Sequence, residues 1–228
     1  MPGVFGSRKG LAVKICGLTR PEEAAACARL GADAIGLVFF ERSPRHVTPA
    51  QAAAITAQLP PDTAAVGVFV DADDDRILSV AERCRLTTAQ LHGNETPELV
   101  ARLRGRGLRV VKALFDGGDP GLARADAFEA DAFLVECGRG RLPGGNAETW
   151  RWADARPVAV RGPLILAGGL SPANVAAAVR AAAPDAVDVS SGVESAPGRK
   201  DLGRVAALIR AARAHAPAGI RPVFSRQG

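Results

Sequence analysis

The sequence predicts an α/β fold, a single (β/α)8 barrel of the TIM type with a parallel eight-stranded core. Three observations carry this. Apolar strand patterns alternate with helical ones along the chain. The strands read as continuous Val, Ile, Leu and Ala runs, the pattern of parallel strands covered by helices on their outer face. About eight such units fit into 228 residues, a usual size for one barrel. A doubly wound open sheet is the alternative, but no G-x-G-x-x-G follows the first strand.

The elements follow in order. A strand over 11–16 ends at Cys16-Gly17, and Thr19-Arg20-Pro21-Glu22-Glu23 starts a helix over 21–30, with proline in its first turn and acids behind it. Strand 34–39 leads to helix 48–59 through the cap-plus-proline pair Thr48-Pro49. Strand 65–70 leads to helix 73–84. A weaker strand at Ala89-Gln90-Leu91 precedes helix 96–106, opened by Thr96-Pro97. Strands at 109–114, 132–136, 164–167 and 186–189 alternate with helices at 120–128, a short one near 150–155, 172–182 and 201–214. The phrases Ala32-Asp33-Ala34, Ala130-Asp131-Ala132 and Pro184-Asp185-Ala186 each join a helix exit to a strand entry, without the fixed period of a solenoid. No linker interrupts the pattern. Residues 1–228 read as one domain, with loosely held ends at about 1–9 and 216–228.

Composition narrows the function classes. The net charge of +5 comes largely from arginines scattered along helices rather than from a dense basic block, so a solvated surface is expected and not a nucleic-acid surface. Aromatic residues make up 4% with no Tyr, which leaves little for base stacking. The four cysteines form no C-x-x-C pair and no His lies at ligand spacing, so no metal is expected. No apolar run approaches the ~18 residues of a membrane span and no signal peptide is visible, so the expectation is a cytoplasmic protein with reduced thiols and no membrane partner.

In a barrel the chemistry gathers at the C-terminal ends of the strands. Reading only those positions gives Cys16 after strand 1, Arg45 and His46 after strand 2, Asp71 after strand 3, Gln90, His92 and Gly93 at strand 4, Glu136 and Cys137 at strand 6, Gly168-Gly169 after strand 7, and Asp188 to Glu194 at strand 8. These positions are nearly all polar or glycine, unlike the strand interiors. Gly168 and Gly169, with Ser190, Ser191 and Gly192, offer backbone amides and hydroxyls near helix N-termini, after the two strands where this fold usually binds phosphate.

Seven segments together carry a resemblance: KICGLTR, GADAIGLVFF with SPRHVTPAQA, VGVFV, QLHGNE, the LPGG segment, LAGGLSPANV and DVSSGVESAPGRKD. In this order, over about residues 12–212, they resemble the phosphoribosylanthranilate isomerase family. The resemblance implies a barrel that performs an Amadori rearrangement of N-(5-phosphoribosyl)anthranilate in tryptophan biosynthesis, without cofactor or metal, as a monomer or homodimer. It implies Cys16 as general base, Glu136 as general acid, Arg45 as the holder of the anthranilate carboxylate, His92 as a hydrogen-bonding wall of the site, and Asp188 near the sugar hydroxyls. Gly168, Gly169, Ser190, Ser191 and Gly192 map onto the phosphate site.

The chain departs from the family at strand 6. The family's acid is an aspartate; here Phe133-Leu134-Val135-Glu136-Cys137 places a glutamate there. In the following loop Gly144-Gly145-Asn146-Ala147 stands for G-G-T/S-G, and Trp150-Arg151-Trp152 for F-D-W. Two further readings stay open on this account: a paralogue acting on another N-riboside phosphate, and a non-catalytic phosphosugar-binding protein. A dual-substrate isomerase serving histidine biosynthesis as well would carry aspartates at strands 1 and 5, where this chain has Cys16 and Val111-Lys112-Ala113-Leu114-Phe115.

Overall fold

A computed structural model describes residues 10–138 and 149–224. Eight parallel strands close a barrel in sequence order: β1 (Ala12–Cys16), β2 (Ala34–Val38), β3 (Ala64–Phe69), β4 (Thr88–Leu91), β5 (Arg109–Asp116), β6 (Ala132–Cys137), β7 (Leu164–Leu166) and β8 (Ala186–Val189), with β8 pairing back onto β1. The predicted (β/α)8 barrel is therefore the observed fold.

Among the described residues six α-helices cover the barrel: α1 (Pro21–Arg29), α2 (Pro49–Thr56), α3 (Asp74–Arg83), α4 (Pro97–Gly105), α5 (Val175–Ala182) and α6 (Leu202–Arg213). The cap signals work as their chemistry requires. The Thr48 hydroxyl accepts from the Gln51 amide while the Gln51 side chain accepts from the Thr48 amide, and Asp73, Thr96 and Asp201 cap α3, α4 and α6. Helix α5 starts later than predicted because the Asn174 side chain accepts from the Ser171 amide and donates to the Gly169 carbonyl, holding 171–174 as a turn.

The expected helix at 120–128 is a 3-10 helix over Leu122–Ala127, and the short one near 150–155 is a 3-10 helix over Trp152–Val160 that contains Pro157. Neither stretch has a long apolar i, i+4 stripe, and Pro157 lacks the amide that an α-helical bond would use. A short hairpin of β9 (Glu194–Ala196) and β10 (Arg199–Lys200) follows β8; the sequence reading missed it.

Side chains alternate along each strand. Val13, Ile15, Ile35, Leu37, Val110 and Leu114 join the layer beneath the helices. Ala34, Ala64, Val66, Val111, Ala113, Ala132, Leu134, Ile165 and Ala186 fill the barrel interior. The lowest interior layer is small: Ala12, Ala34, Ala64, Ala132 and Ala186 start five of the strands. The end expected to be loosely held is described as far as 224, and its exposed residues 216, 218, 219 and 222 lead to a buried pair. Val223 and Phe224 are buried against this alanine layer. The segment is anchored by the Arg221 amide on Asp185 Oδ1 at 2.7 Å and the Arg221 guanidinium on the same carboxylate, with Arg221 Nη1 on the Ala159 carbonyl at 2.9 Å. Small residues leave space at the N-terminal mouth, and the tail fills it.

Candidate active site

The C-terminal mouth of the barrel is lined by the same alternation. Lys14 and Cys16 on β1, Gln90 on β4 with His92 just after it, Glu136 on β6 and Asp188 on β8 all point inward, and all are buried. The structure thus gathers Cys16, His92, Glu136 and Asp188 in one ring of strand ends.

Cys16 sits against β2, in register with Gly36. A Cβ on Gly36 would lie 2.7 Å from Cys16 Sγ and 3.0 Å from its Cα, so the absence of a side chain there makes room for the thiol. Burial pushes the Cys16 thiol up from its ordinary value; the Lys14 and Lys200 ammonium groups oppose this, and the Asp188 carboxylate adds to it. Lys14, fully buried, was not singled out from sequence. Its Nζ lies 2.9 Å from Asp188 Oδ1, yet neither atom completes a hydrogen bond. The contact brings the charges together without hydrogen-bond alignment, and both atoms keep hydrogen-bonding capacity at the site. Burial disfavours the Lys14 charge, but Asp188 and Cys16 outweigh it and hold the ammonium above its usual range.

Arg45 reaches the mouth from the loop after β2. Its Nε and Nη2 donate to the two Glu194 carboxylate oxygens at 2.8 and 2.7 Å. Glu194 Oε1 also accepts from Lys200 Nζ at 2.7 Å and from the Gly198 amide at 3.2 Å. Burial alone would raise the Glu194 carboxyl; the Arg45 and Lys200 contacts win and hold it below the usual carboxylate range. One edge of the guanidinium is thereby taken. No described residue accepts from Nη1, so the other edge remains to grip a planar carboxylate. Sequence reasoning placed Glu194 among the strand-8 end positions without a role and did not single out Lys200; both sit on the missed hairpin.

The loops after β7 and β8 are in contact. Gly168 and Gly169 turn with φ of +83° and +65°, and their amides donate to no backbone carbonyl among the described residues. A Cβ on Gly192 would collide with the Leu170 carbonyl oxygen, so glycine there lets the Ser190-Ser191-Gly192 turn press against the first loop. The Ser190 hydroxyl donates to the Cys16 carbonyl at 3.1 Å, tying this turn to the end of β1. Trp150, at the altered F position of F-D-W, and Trp152, at its retained W, donate from their indole N–H groups to the carbonyls of Ala167 at 3.0 Å and Gly168 at 3.3 Å. Both tryptophans therefore brace the loop after β7. Arg151 is exposed and pairs with Asp154. Gly144, Gly145, Asn146 and Ala147 lie outside the described residues.

His92 Nε2 is 3.0 Å from Glu136 Oε1, and His92 Nδ1 is 2.9 Å from Gln90 Nε2. Asp71 takes a supporting role: Oδ1 accepts from the Asn94 amide at 2.7 Å, shaping the loop after β4. Buried Lys112 points to the helix side, where Glu95 and the carbonyls of Leu91 and Gly93 accept from its ammonium. Among the described residues no group of three His, Cys, Asp or Glu side chains is placed to hold a metal ion, and no helix is long and apolar enough to cross a membrane.

The family model for N-(5'-phosphoribosyl)anthranilate isomerase matches residues 13–211. The isomerase of Desulfatibacillum aliphaticivorans is 50% identical over 198 residues, covering 87% of this chain and 91% of that protein. The one from Geobacter sulfurreducens is 46% identical, covering 88% and 98%. Among solved structures, the phosphoribosyl anthranilate isomerase of Thermotoga maritima superposes with a TM-score of 0.83 at 37% identity, covering 90% of this chain and 99% of that one. A phosphoribosyl anthranilate isomerase in complex with reduced 1-(o-carboxyphenylamino)-1-deoxyribulose 5-phosphate gives 0.79 at 37%, with the same coverage. With these matches along nearly the whole barrel, and with the strand-end residues gathered as described, the chain belongs to the N-(5'-phosphoribosyl)anthranilate isomerase family.

Proposed function

We propose that this chain is a phosphoribosylanthranilate isomerase, converting N-(5-phosphoribosyl)anthranilate to 1-(2-carboxyphenylamino)-1-deoxyribulose 5-phosphate in tryptophan biosynthesis as a one-domain enzyme. The observation that carries it is the placement of Cys16 and Glu136 at the ends of β1 and β6, inside one barrel mouth to which the Ser190 turn after β8 is tied through the Cys16 carbonyl.

Glu136 gives its proton to the ribose ring oxygen as the bond from that oxygen to C1 breaks, which leaves an iminium at C1. The Cys16 thiolate takes the proton from C2, and the C–H electron pair becomes the double bond of an enolamine. Proton return to C1 and loss of the C2 hydroxyl proton give the amino-ketose and restore both groups. Each proton transfer by a positioned side chain contributes about 10²–10⁴-fold. Lys14 and Lys200 make the Cys16 thiolate less costly in a buried site. Arg45 binds the anthranilate carboxylate on the edge that Glu194 leaves open. Asp188, held by Lys14, orients a sugar hydroxyl. Gly168, Gly169, Ser190, Ser191 and Gly192 take the phosphate through amides and hydroxyls.

The test generates phosphoribosylanthranilate in situ and follows the loss of its fluorescence. Turnover of about 1 per second or more supports the reading. An inert wild type with a Glu136→Asp variant that gains activity would favour the second reading, another N-riboside phosphate. That reading draws on the glutamate at 136.

A further inference from the structure

His92 and Gln90 form a chain that ends on Glu136. All three are buried, with side chains in line from Gln90 Nε2 to His92 Nδ1 at 2.9 Å and from His92 Nε2 to Glu136 Oε1 at 3.0 Å. The imidazole stands edge-on to Phe115, with ring centroids 5.4 Å apart and planes at 88°, which opposes rotation of the ring.

The protons in this chain follow from its ends. An amide N–H2 against Nδ1 can only donate, so Nδ1 carries the lone pair and the neutral ring carries its proton on Nε2. That N–H then donates to Glu136 Oε1. Oε1 is an acceptor in this arrangement, whether Glu136 is a carboxylic acid or a carboxylate. The transferable proton of the acid must therefore sit on Oε2, for which no described residue provides a partner.

We propose that His92, fixed in its Nε2–H tautomer by Gln90, is a positioning residue that places the Glu136 proton on Oε2 and stabilises the carboxylate formed when that proton leaves. The bond from Nε2–H to Oε1 is neutral before transfer and charge-assisted after it, so it strengthens as the reaction proceeds. The longer side chain of Glu136 is held at Oε1, which fixes where the extra methylene puts the acid. This rests on the reading of Glu136 as the general acid.

An amide turned end for end makes the opposite claim, because its oxygen can only accept. Gln90 Oε1 is buried without a partner as it stands. Placed against Nδ1, it would accept a proton there, leave Nε2 with a lone pair, and lock the acid proton between Nε2 and Oε1, away from substrate.

Nitrogen-15 NMR of the imidazole rings of the wild-type chain separates the two. The chain has three histidines, and the signals missing in His92→Gln identify the one in question. The expected result is a protonated Nε2 and an unprotonated Nδ1; a protonated Nδ1 overturns the proposal. Kinetics gives the second arm. His92→Leu is expected to lower kcat about 10- to 100-fold with little change in KM, as for loss of one charge-assisted bond. His92→Gln, which keeps an amide donor, recovers part of the loss. Gln90→Glu places an acceptor against Nδ1, moves the ring proton, and lowers kcat although His92 is intact. Unchanged kcat in His92→Leu, or in a Gln90→Glu variant whose ring proton has moved, overturns it. If Glu136→Gln itself keeps the wild-type kcat, the assignment of the acid has failed instead, whatever the tautomer.

Discussion

Gly36→Ala isolates the position of the Cys16 sulfur without touching a reacting group. The added carbon would lie 2.7 Å from Cys16 Sγ, 3.0 Å from its Cα and 3.1 Å from its Cβ. Carbon contacts are comfortable at about 3.5–4.0 Å, so some atom must yield by about 1 Å. The backbones have little freedom: the amides of Gly17 and Leu18 both donate to the Gly36 carbonyl, at 2.9 and 3.1 Å. The thiol is the group that can move. A 1 Å misplacement of a reacting group costs on the order of 100-fold in rate, and overpacking of this kind costs about 1–3 kcal/mol of stability. The fluorescence assay should show kcat down by about 10²-fold with KM little changed, since the three atoms nearest the new methyl group all belong to Cys16. Thermal unfolding should show a folded protein with a modestly lowered Tm. A variant with wild-type kcat would refute the argument, because it would mean that the thiol's location against β2 does not set the rate.

Truncation after His215 should lower Tm while leaving kcat at room temperature unchanged, because the tail closes the mouth opposite the site; Phe224→Ala alone should cost about 3 kcal/mol in chemical denaturation, and an unaltered Tm in both would contradict the packing. The Cys16 thiol is pushed up by burial, and the base acts as thiolate, so kcat/KM should climb as pH rises above neutral; a profile flat from neutral to alkaline pH would count against Cys16 as base. Glu194 is held below its ordinary value of 4.5, so its contribution to stability is present above that pH and is lost as pH falls through the lower folded value; Glu194→Gln should therefore flatten the acid limb of Tm against pH, and an unchanged acid limb would contradict the pairing with Arg45 and Lys200.

Much of the fold is legible because local and global signals agree. Continuous apolar runs mark strands buried on both faces, and Thr48-Pro49 and Thr96-Pro97 start helices one residue later at Pro49 and Pro97. The glycine loops after β7 and β8 and the polar strand ends are equally readable, since polar residues stand out where an otherwise apolar strand stops. The missing parts lack such agreement. Glu194 and Lys200 lie in strands of three and two residues, too short for a period-two pattern. As charged residues in a glycine-containing loop they look solvated, and only the pairing of Glu194 with both Lys200 and Arg45 makes burial tolerable. Lys14 sits inside an apolar run, where strict alternation in Ala12-Val13-Lys14-Ile15-Cys16 would have put it on the face of Cys16. The tail's signal is only Val223-Phe224, and its anchor on Asp185 spans 36 residues, which no local pattern encodes.

Steady-state turnover of Cys16→Ala and Glu136→Gln, set beside binding of reduced 1-(o-carboxyphenylamino)-1-deoxyribulose 5-phosphate, tests the central claim most directly. The account predicts that each variant loses about 10²-fold or more in kcat while still binding the analogue, because the proposed mechanism gives the phosphate and the carboxylate to other residues. Wild-type turnover in either variant would contradict the assignment of base and acid to the ends of β1 and β6.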